Sequence, residues 1–204
     1  MLVSDLPNHE GMTIALIGGG LTLYQFLQNY GHPEQRARYD QVWAVNHTGM
    51  LVHPVDLVFH IDDLIADQPI MQPLLDRGVP VVTSDPYDWP QCIAYPREEV
   101  WNAGCLGVVP NNVLTYAIGF ATWRRVAEMH LFGCDFYAGG AHAMWTPGEA
   151  NAAFALGIAS GKGMKIAVVP GSAFLGMNEP RVWYGYKKKP TPMGERITIL
   201  KEVA

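Results

Sequence analysis

The sequence predicts a single α/β domain, a Rossmann-like three-layer fold with a mainly parallel sheet and helices on both faces. Two observations point there. Short apolar runs rich in β-branched residues alternate along the chain with segments whose apolar positions recur every three to four residues. Each apolar run also closes on a small polar or glycine cluster, as strands that feed loops and helices do. At 204 residues and 49% hydrophobic, the chain is of a size that one core can serve, and residues 1–204 read as one domain.

The first run, residues 12–17 (MTIALI), stops at Gly18, Gly19 and Gly20, and residues 22–30 then carry apolar residues at helical spacing up to Gly31 and Pro33. Residues 41–46 (QVWAVN) and 56–61 (DLVFHI) are further strands, closing on Asn46-His47-Thr48 and Asp62-Asp63. A helix through residues 71–77 precedes a strand at 79–83. Residues 84–110 are rich in Pro, Gly, Trp and Tyr, with strand character at 91–95, and read as an insertion on the rim of a cleft. Residues 113–121 place Val113, Leu114, Ala117, Ile118 and Ala121 at helical spacing behind Asn111 and Asn112, either of which suits an N-cap, and this should be the most buried helix. A strand at 128–133, an alanine-rich helix at 147–160 with Pro147 in its first turn, and a strand at 165–169 complete the pattern. Residues 178–204 form a C-terminal arm whose β-like part, residues 196–200, could pair with a neighbouring subunit in a homo-oligomer.

Composition removes several function classes. Charged residues make up 16% of the chain, against about 25% in an average domain. The net charge is -5, so no basic face for nucleic acid is expected, and Lys187, Lys188 and Lys189 read as a solvated run. Three cysteines without C-x-x-C spacing suggest neither a disulfide framework nor a zinc site. No apolar stretch approaches the ~20 residues of a membrane span and the N-terminus lacks the pattern of a secretory signal, so the expectation is a cytoplasmic protein.

In an open parallel sheet, ligands bind beyond the carboxyl ends of the strands. The candidates there are residues 18–22, Asn46 to Thr48, Asp62 and Asp63, Asn111 and Asn112, residues 135–142, and Gly171 with Ser172. Three glycines between a strand and a helix let backbone N–H groups approach an anion, which implies a phosphate-bearing ligand; the alternative is a tight turn and nothing more. A dinucleotide fingerprint would want glycine where Leu23 stands and an acidic residue where Asn46 stands, and no G-K-[ST] of a P-loop occurs. A nucleotide therefore ranks above a dinucleotide cofactor. Asp135 at a strand end, a glycine pair at 139 and 140, then His142 is a layout suited to acid–base work on a bound ligand, or else a capping aspartate and a surface histidine. His60 and Asp62, two apart, share a strand face and suit a hydrogen bond better than a metal site. Cys134 beside Asp135 is a poor nucleophile. Trp43, Trp101 and Trp123 read as packing, while Tyr137 and Trp145 could stack on a base.

These positions resemble two related groups, the small bacterial sialyltransferases that modify lipooligosaccharide and the MptE-like pyrophosphokinases grouped with motility accessory factors. A strand followed by G-x-G-P-S-L is matched by Gly18-Gly19-Gly20-Leu21-Thr22-Leu23, departing at Leu21 and Thr22. Asn46 ends the second strand, Gly133-Cys134-Asp135-Phe136-Tyr137 reproduces G-x-D-F-Y, and residues 169–175 (VPGSAFL) resemble C-P-x-S-x-L with one residue more. The helix start S-G of the transferases is replaced by Asn111-Asn112, after a shorter connection. The resemblance implies a transferase using a CMP-type nucleotide sugar as substrate, with no tightly bound cofactor. Gly18, Gly19, Gly20, Thr22, Asn46, Asn111, Asn112, Tyr137 and Ser172 would hold the nucleotide, and His142 would act as general base, although the spacing back from Pro170 falls nearer Trp145. In the pyrophosphokinase branch, Asp62, Asp63 and Asp135 would hold magnesium. A non-catalytic nucleotide-sequestering module is the third reading.

Overall fold

Among the described residues, eight strands form one sheet in the order β5-β4-β3-β2-β1-β6-β7-β8: β1 (Thr13–Ile17), β2 (Gln41–Val45), β3 (Leu57–His60), β4 (Val81–Thr83), β5 (Cys92–Ala94), β6 (Glu128–Phe132), β7 (Lys165–Val168) and β8 (Ile197–Ile199). Every neighbouring pair is parallel. The computed structural model describes residues 1–136, 142–176 and 197–199, with side chains at all of these except 33, 142–146, 176 and 197–199.

The strands are apolar on both faces, which is why they sit in the middle layer. Ile14, Leu16, Trp43, Leu57 and Phe59 point to one face, and Ala15, Ile17, Val42, Ala44 and Val58 to the other, following the two-residue period of a strand. Helices α1 (Leu23–Tyr30) and α2 (Gln68–Asp76) cover the second face through Phe26, Met71 and Leu74. Helices α3 (Arg97–Asn102), α4 (Val113–Trp123) and α5 (His142–Gly161) lie on the first through Val100, Ile118, Phe120, Ala155 and Leu156. In α4 only Val113, Tyr116 and Trp123 are not fully buried, as its near-continuous apolar sequence predicts. Asn112 is its N-cap, accepting from the Thr115 N–H at 3.0 Å.

The chain lays β2 to β5 outward on one side of β1 and then returns to place β6 on the other. The order reverses between β1 and β6, and a crevice opens at the carboxyl end of such a reversal. The site is therefore positioned by topology before any side chain is considered.

Residues 84–110 supply the edge strand β5, within the strand expected at 91–95, and helix α3. Two expectations change. Helix α5 begins at His142 and takes Pro147 into its interior, against the usual preference of proline for a first turn; His142 is the first helical residue rather than a loop residue. Helix α2 starts at Gln68, before the expected position, with Pro69 in its first turn, where the missing N–H has no intrahelical partner to lose. Within the C-terminal arm, Ile197–Ile199 pair with β7 as the last strand of the sheet.

Candidate functional site

The corner between β1 and β6 is held by a closed set of hydrogen bonds. Gly18 N–H donates to Phe132 O at 2.7 Å and Gly20 N–H to Gly133 O at 2.7 Å. Asp135, 4% exposed, accepts from the Thr22 N–H at 2.7 Å on one oxygen and from the Thr22 hydroxyl at 2.6 Å on the other. The Thr22 hydroxyl in turn accepts from the Gly133 N–H at 2.9 Å. A Cβ on Gly18 would strike the carbonyl of Gly133, and one on Gly133, whose φ is +64°, would strike that of Gly18. The two loops thus touch backbone to backbone, which only glycine allows.

This arrangement decides what Asp135 does. Its carboxylate sits at the N-terminus of α1, where a negative charge complements the helix dipole, and both oxygens have partners inside the fold. It anchors the glycine loop and fills the helix end expected to receive a phosphate. Cys134 beside it is buried, and burial followed by the Asp135 charge pushes its thiol far up, away from the reactive thiolate.

In front of the corner lies a cleft of ≈ 270 Å³, lined by Gly19, Asn46, Asn112, Leu114, Asp135 and Phe136 among others. Its polar contacts come from backbone. Gly19 N–H has no partner among the described residues. At the N-terminus of α4 the N–H groups of Val113 and Leu114 are likewise unpartnered, since Asn112 satisfies only Thr115. No lysine or arginine lines the cleft among the described residues. Val113, Leu114 and Phe136 supply apolar wall. Phe136 and Asn46 both have left-handed backbone, with φ of 52° and 53°. For phenylalanine this is a strained conformation, of a kind that clusters at ligand sites.

Around Asn46 a second cavity of ≈ 250 Å³ continues from the cleft, lined by His47, His60, Asp62 and Asp67. His60, 3% exposed, ends β3. Its Nε2 lies 3.2 Å from Asp67 Oδ2, but the alignment is poor and neither ring nitrogen has a hydrogen bond. The expected His60–Asp62 pair is therefore replaced by Asp67: the strand stops at His60, so Asp62 no longer shares its face, and the turn into α2 brings Asp67 back instead. Desolvation pushes the His60 pKa down against the pull of Asp67 and Asp62, which keeps the ring neutral.

The three carboxylates of the magnesium reading are not brought together. Asp135 is engaged with Thr22, Asp63 Oδ1 accepts from the N–H groups of Ile65 and Ala66, and Asp62 faces the Asn46 amide at 3.5 Å. Among the described residues no three His, Cys, Asp or Glu converge on a point that could hold a metal ion.

The other sequence candidates divide. Asn112 lines the cleft while also bonding Asn111 and Gly148 O, each at 2.9 Å. Asn111 stands outside, its N–H on Asn151 at 3.3 Å, linking α4 to α5. Ser172 is buried and accepts from the Phe174 N–H at 3.2 Å, away from the cleft lining. Tyr137, with the glycine pair at 139 and 140, lies outside the described residues, as does the side chain of His142. None of residues 84–110 lines the cleft. Two features beside these residues escaped the sequence: Asp67, which no motif singled out, and the Val113 and Leu114 N–H groups, which the Asn-Asn cap could have signalled.

No protein-family model matches the chain, and no curated protein matches it by sequence. Solved structures do. The α-2,3-sialyltransferase of Campylobacter jejuni in its apo form superposes with a TM-score of 0.50 at 15% identity, covering 78% of this chain and 75% of that one. A variant of the α-2,3/8-sialyltransferase CstII gives 0.49 at 16% over 76% and 81%, and CstII of the same organism with CMP-3FNeuAc gives 0.49 at 15% over 77% and 79%. With the all-parallel sheet, its reversal between β1 and β6 and the glycine corner already in place, the first of these shows that the chain has a sialyltransferase-like Rossmann fold.

Proposed function

We propose that the chain is a glycosyltransferase that uses a nucleotide-sugar donor of the CMP type. The observation that carries the reading is the pair of N–H sets, unpartnered among the described residues, on residues that line one cleft at the strand-order reversal, Gly19 on one side and Val113 and Leu114 on the other. Such donors, backed by the dipole of α4, stabilise a phosphate and the extra charge it gains on departure without a cation. Phe136 and the apolar wall of α4 would take the base. The resemblance of residues 133–137 to G-x-D-F-Y supports a role for Tyr137 at the phosphate.

His142 is the general base of this proposal, taking the proton of an acceptor hydroxyl from the start of α5; Asp135 holds the loop still. The test incubates the full chain with a panel of nucleotide sugars and follows release of the nucleotide. Hydrolysis or transfer is expected, with His142→Ala lowering turnover by about 100-fold or more while nucleotide affinity stays within about twofold. Unchanged turnover in that variant removes His142 from the mechanism. The engagement of Asp135 by Thr22, which leaves the cleft without a free carboxylate, favours one second reading, a nucleotide-sequestering module; tight binding with no turnover on any donor would establish it.

A further inference from the structure

The chain that enters α4 is laid along α5. Residues 103–112 run against Gly148, Asn151, Phe154 and Ile158 of α5 and Lys162 just beyond it; these follow one another at three or four residues and so share one face of the helix. At the far end, Lys162 Nζ donates to Ala103 O at 3.0 Å. Gly107 then lies against Phe154 and Ile158, where a Cβ would strike both side chains, so the half-exposed Phe154 packs on this segment. Nearest α4, Asn151 bonds in both senses: its Nδ2 donates to Val109 O at 3.1 Å and its Oδ1 accepts from the Asn111 N–H at 3.3 Å. Asn112 Nδ2 donates to Gly148 O at 2.9 Å.

The contacts nearest α4 bear on the cleft. Among the described residues no lysine or arginine lines it, so the grip on a phosphate falls to N–H groups, whose bonds weaken steeply with misalignment and stabilise charge best when held in place beforehand. The bond from Thr115 N–H to Asn112 fixes α4 only to its own cap. What fixes that cap to the rest of the fold is α5, through Gly148 and Asn151. Asn151 itself does not line the cleft, and its partners precede the Val113 and Leu114 donors in the chain. We infer that Asn151 is a positioning residue of the phosphate site: by holding Val109 and Asn111 on α5, it sets where the Val113 and Leu114 N–H groups point. The inference rests on the nucleotide reading above. Because α5 begins at His142, one helix then registers both the phosphate donors and the base of that reading.

The test measures what the phosphate adds to affinity. The full chain, labelled with ¹⁵N, is titrated with cytidine, uridine, adenosine and guanosine 5′-monophosphates and with the four nucleosides, and amide shifts give each affinity. For at least one base the phosphate is expected to tighten binding by about 100-fold, as two or more hydrogen bonds to a charged group would, with shifts at the Val113 and Leu114 amides. No nucleotide binding, or nucleotides no tighter than their nucleosides, would overturn the nucleotide reading and this inference with it. Asn151→Ala is expected to cut the phosphate increment about tenfold while the nucleoside stays within about twofold. Lys162→Ala, which frees the opposite end of the same segment, should leave the increment within about twofold of the parent. With the parent increment present, three results would overturn the positioning role alone: an unchanged increment in Asn151→Ala, equal losses for nucleotide and nucleoside, or the same drop in Lys162→Ala. Asn151→Ser, which shortens the side chain but keeps it polar, reads the same loss if the alanine variant does not fold.

Discussion

Between β1 and β6, the turn groups are bonded to one another: Thr22 to Asp135, Gly133 to Thr22, Gly18 to Phe132 and Gly20 to Gly133. Between β2 and β3, at the same edge of the sheet, His60 and Asn46 keep buried polar atoms without partners, and Asn46 sits in a left-handed conformation. The first corner is finished by the chain alone. The second leaves those atoms unsatisfied by the described residues. Two loops of similar polarity, one strand apart, thus divide: one is closed by its own bonds and the other is not.

If that division is right, substitutions at the first corner fail through stability and those at the second through binding. The largest effect is expected at the backbone crossing. Gly133→Ala puts a Cβ against the Gly18 carbonyl in a residue at φ +64°, and should lower stability by about 3 kcal/mol or more, read as a fall in the midpoint of denaturant unfolding. Next, Thr22→Val leaves Asp135 buried with one oxygen unpaired and should lower stability by about 1 to 3 kcal/mol by the same measurement, together with a rise in hydrogen exchange at the start of α1.

Acid should act mainly on the shared core. Desolvation, then Arg124, pushes the pKa of His9 down to about 4, and burial pushes His60 and His130 down as well. The unfolded chain protonates these rings near the ordinary histidine value of about 6.5 while the folded chain does not. Stability is therefore full above that value and declines as pH falls toward 4, which unfolding midpoints at pH 7, 5.5 and 4.5 would follow; a flat profile would contradict the buried neutral state. Asn112→Ala should lower stability by about 1 kcal/mol, the usual worth of an N-cap. The smallest effect is the most telling for the comparison: Asn46→Gly relieves the left-handed backbone and should leave stability unchanged or raise it by up to about 1 kcal/mol, while weakening nucleotide-sugar binding.

Most of the fold was legible because period-two apolar runs and helical spacing are local signals. The N-cap at Asn112 and the glycine corner could be read directly. What could not be read was partnership across the chain. Nothing near Asp135 in sequence says that Thr22 occupies it, so an acid–base role and an anchoring role looked alike. His60 suggested Asp62 by spacing, but the end of β3 and the turn before α2 substitute Asp67. Pro147 read as a helix start because proline favours first turns, whereas tertiary context continued α5 back to His142. The edge strand at residues 92–94 was faint because it is three residues long in a segment of prolines and aromatics.

The sheet order also bears on how the chain is made. β1 lies at the heart of the sheet, yet its neighbour on one side, β6, comes from the second half of the sequence. During synthesis β1 to β5 emerge first and present the β1 edge, with Ile14, Leu16 and Ile17, unpaired until residues 128–132 leave the ribosome. Nascent or truncated chains ending before β6 should be aggregation-prone and chaperone-dependent, and the glycine corner, which needs residues from both halves, can close only after that point.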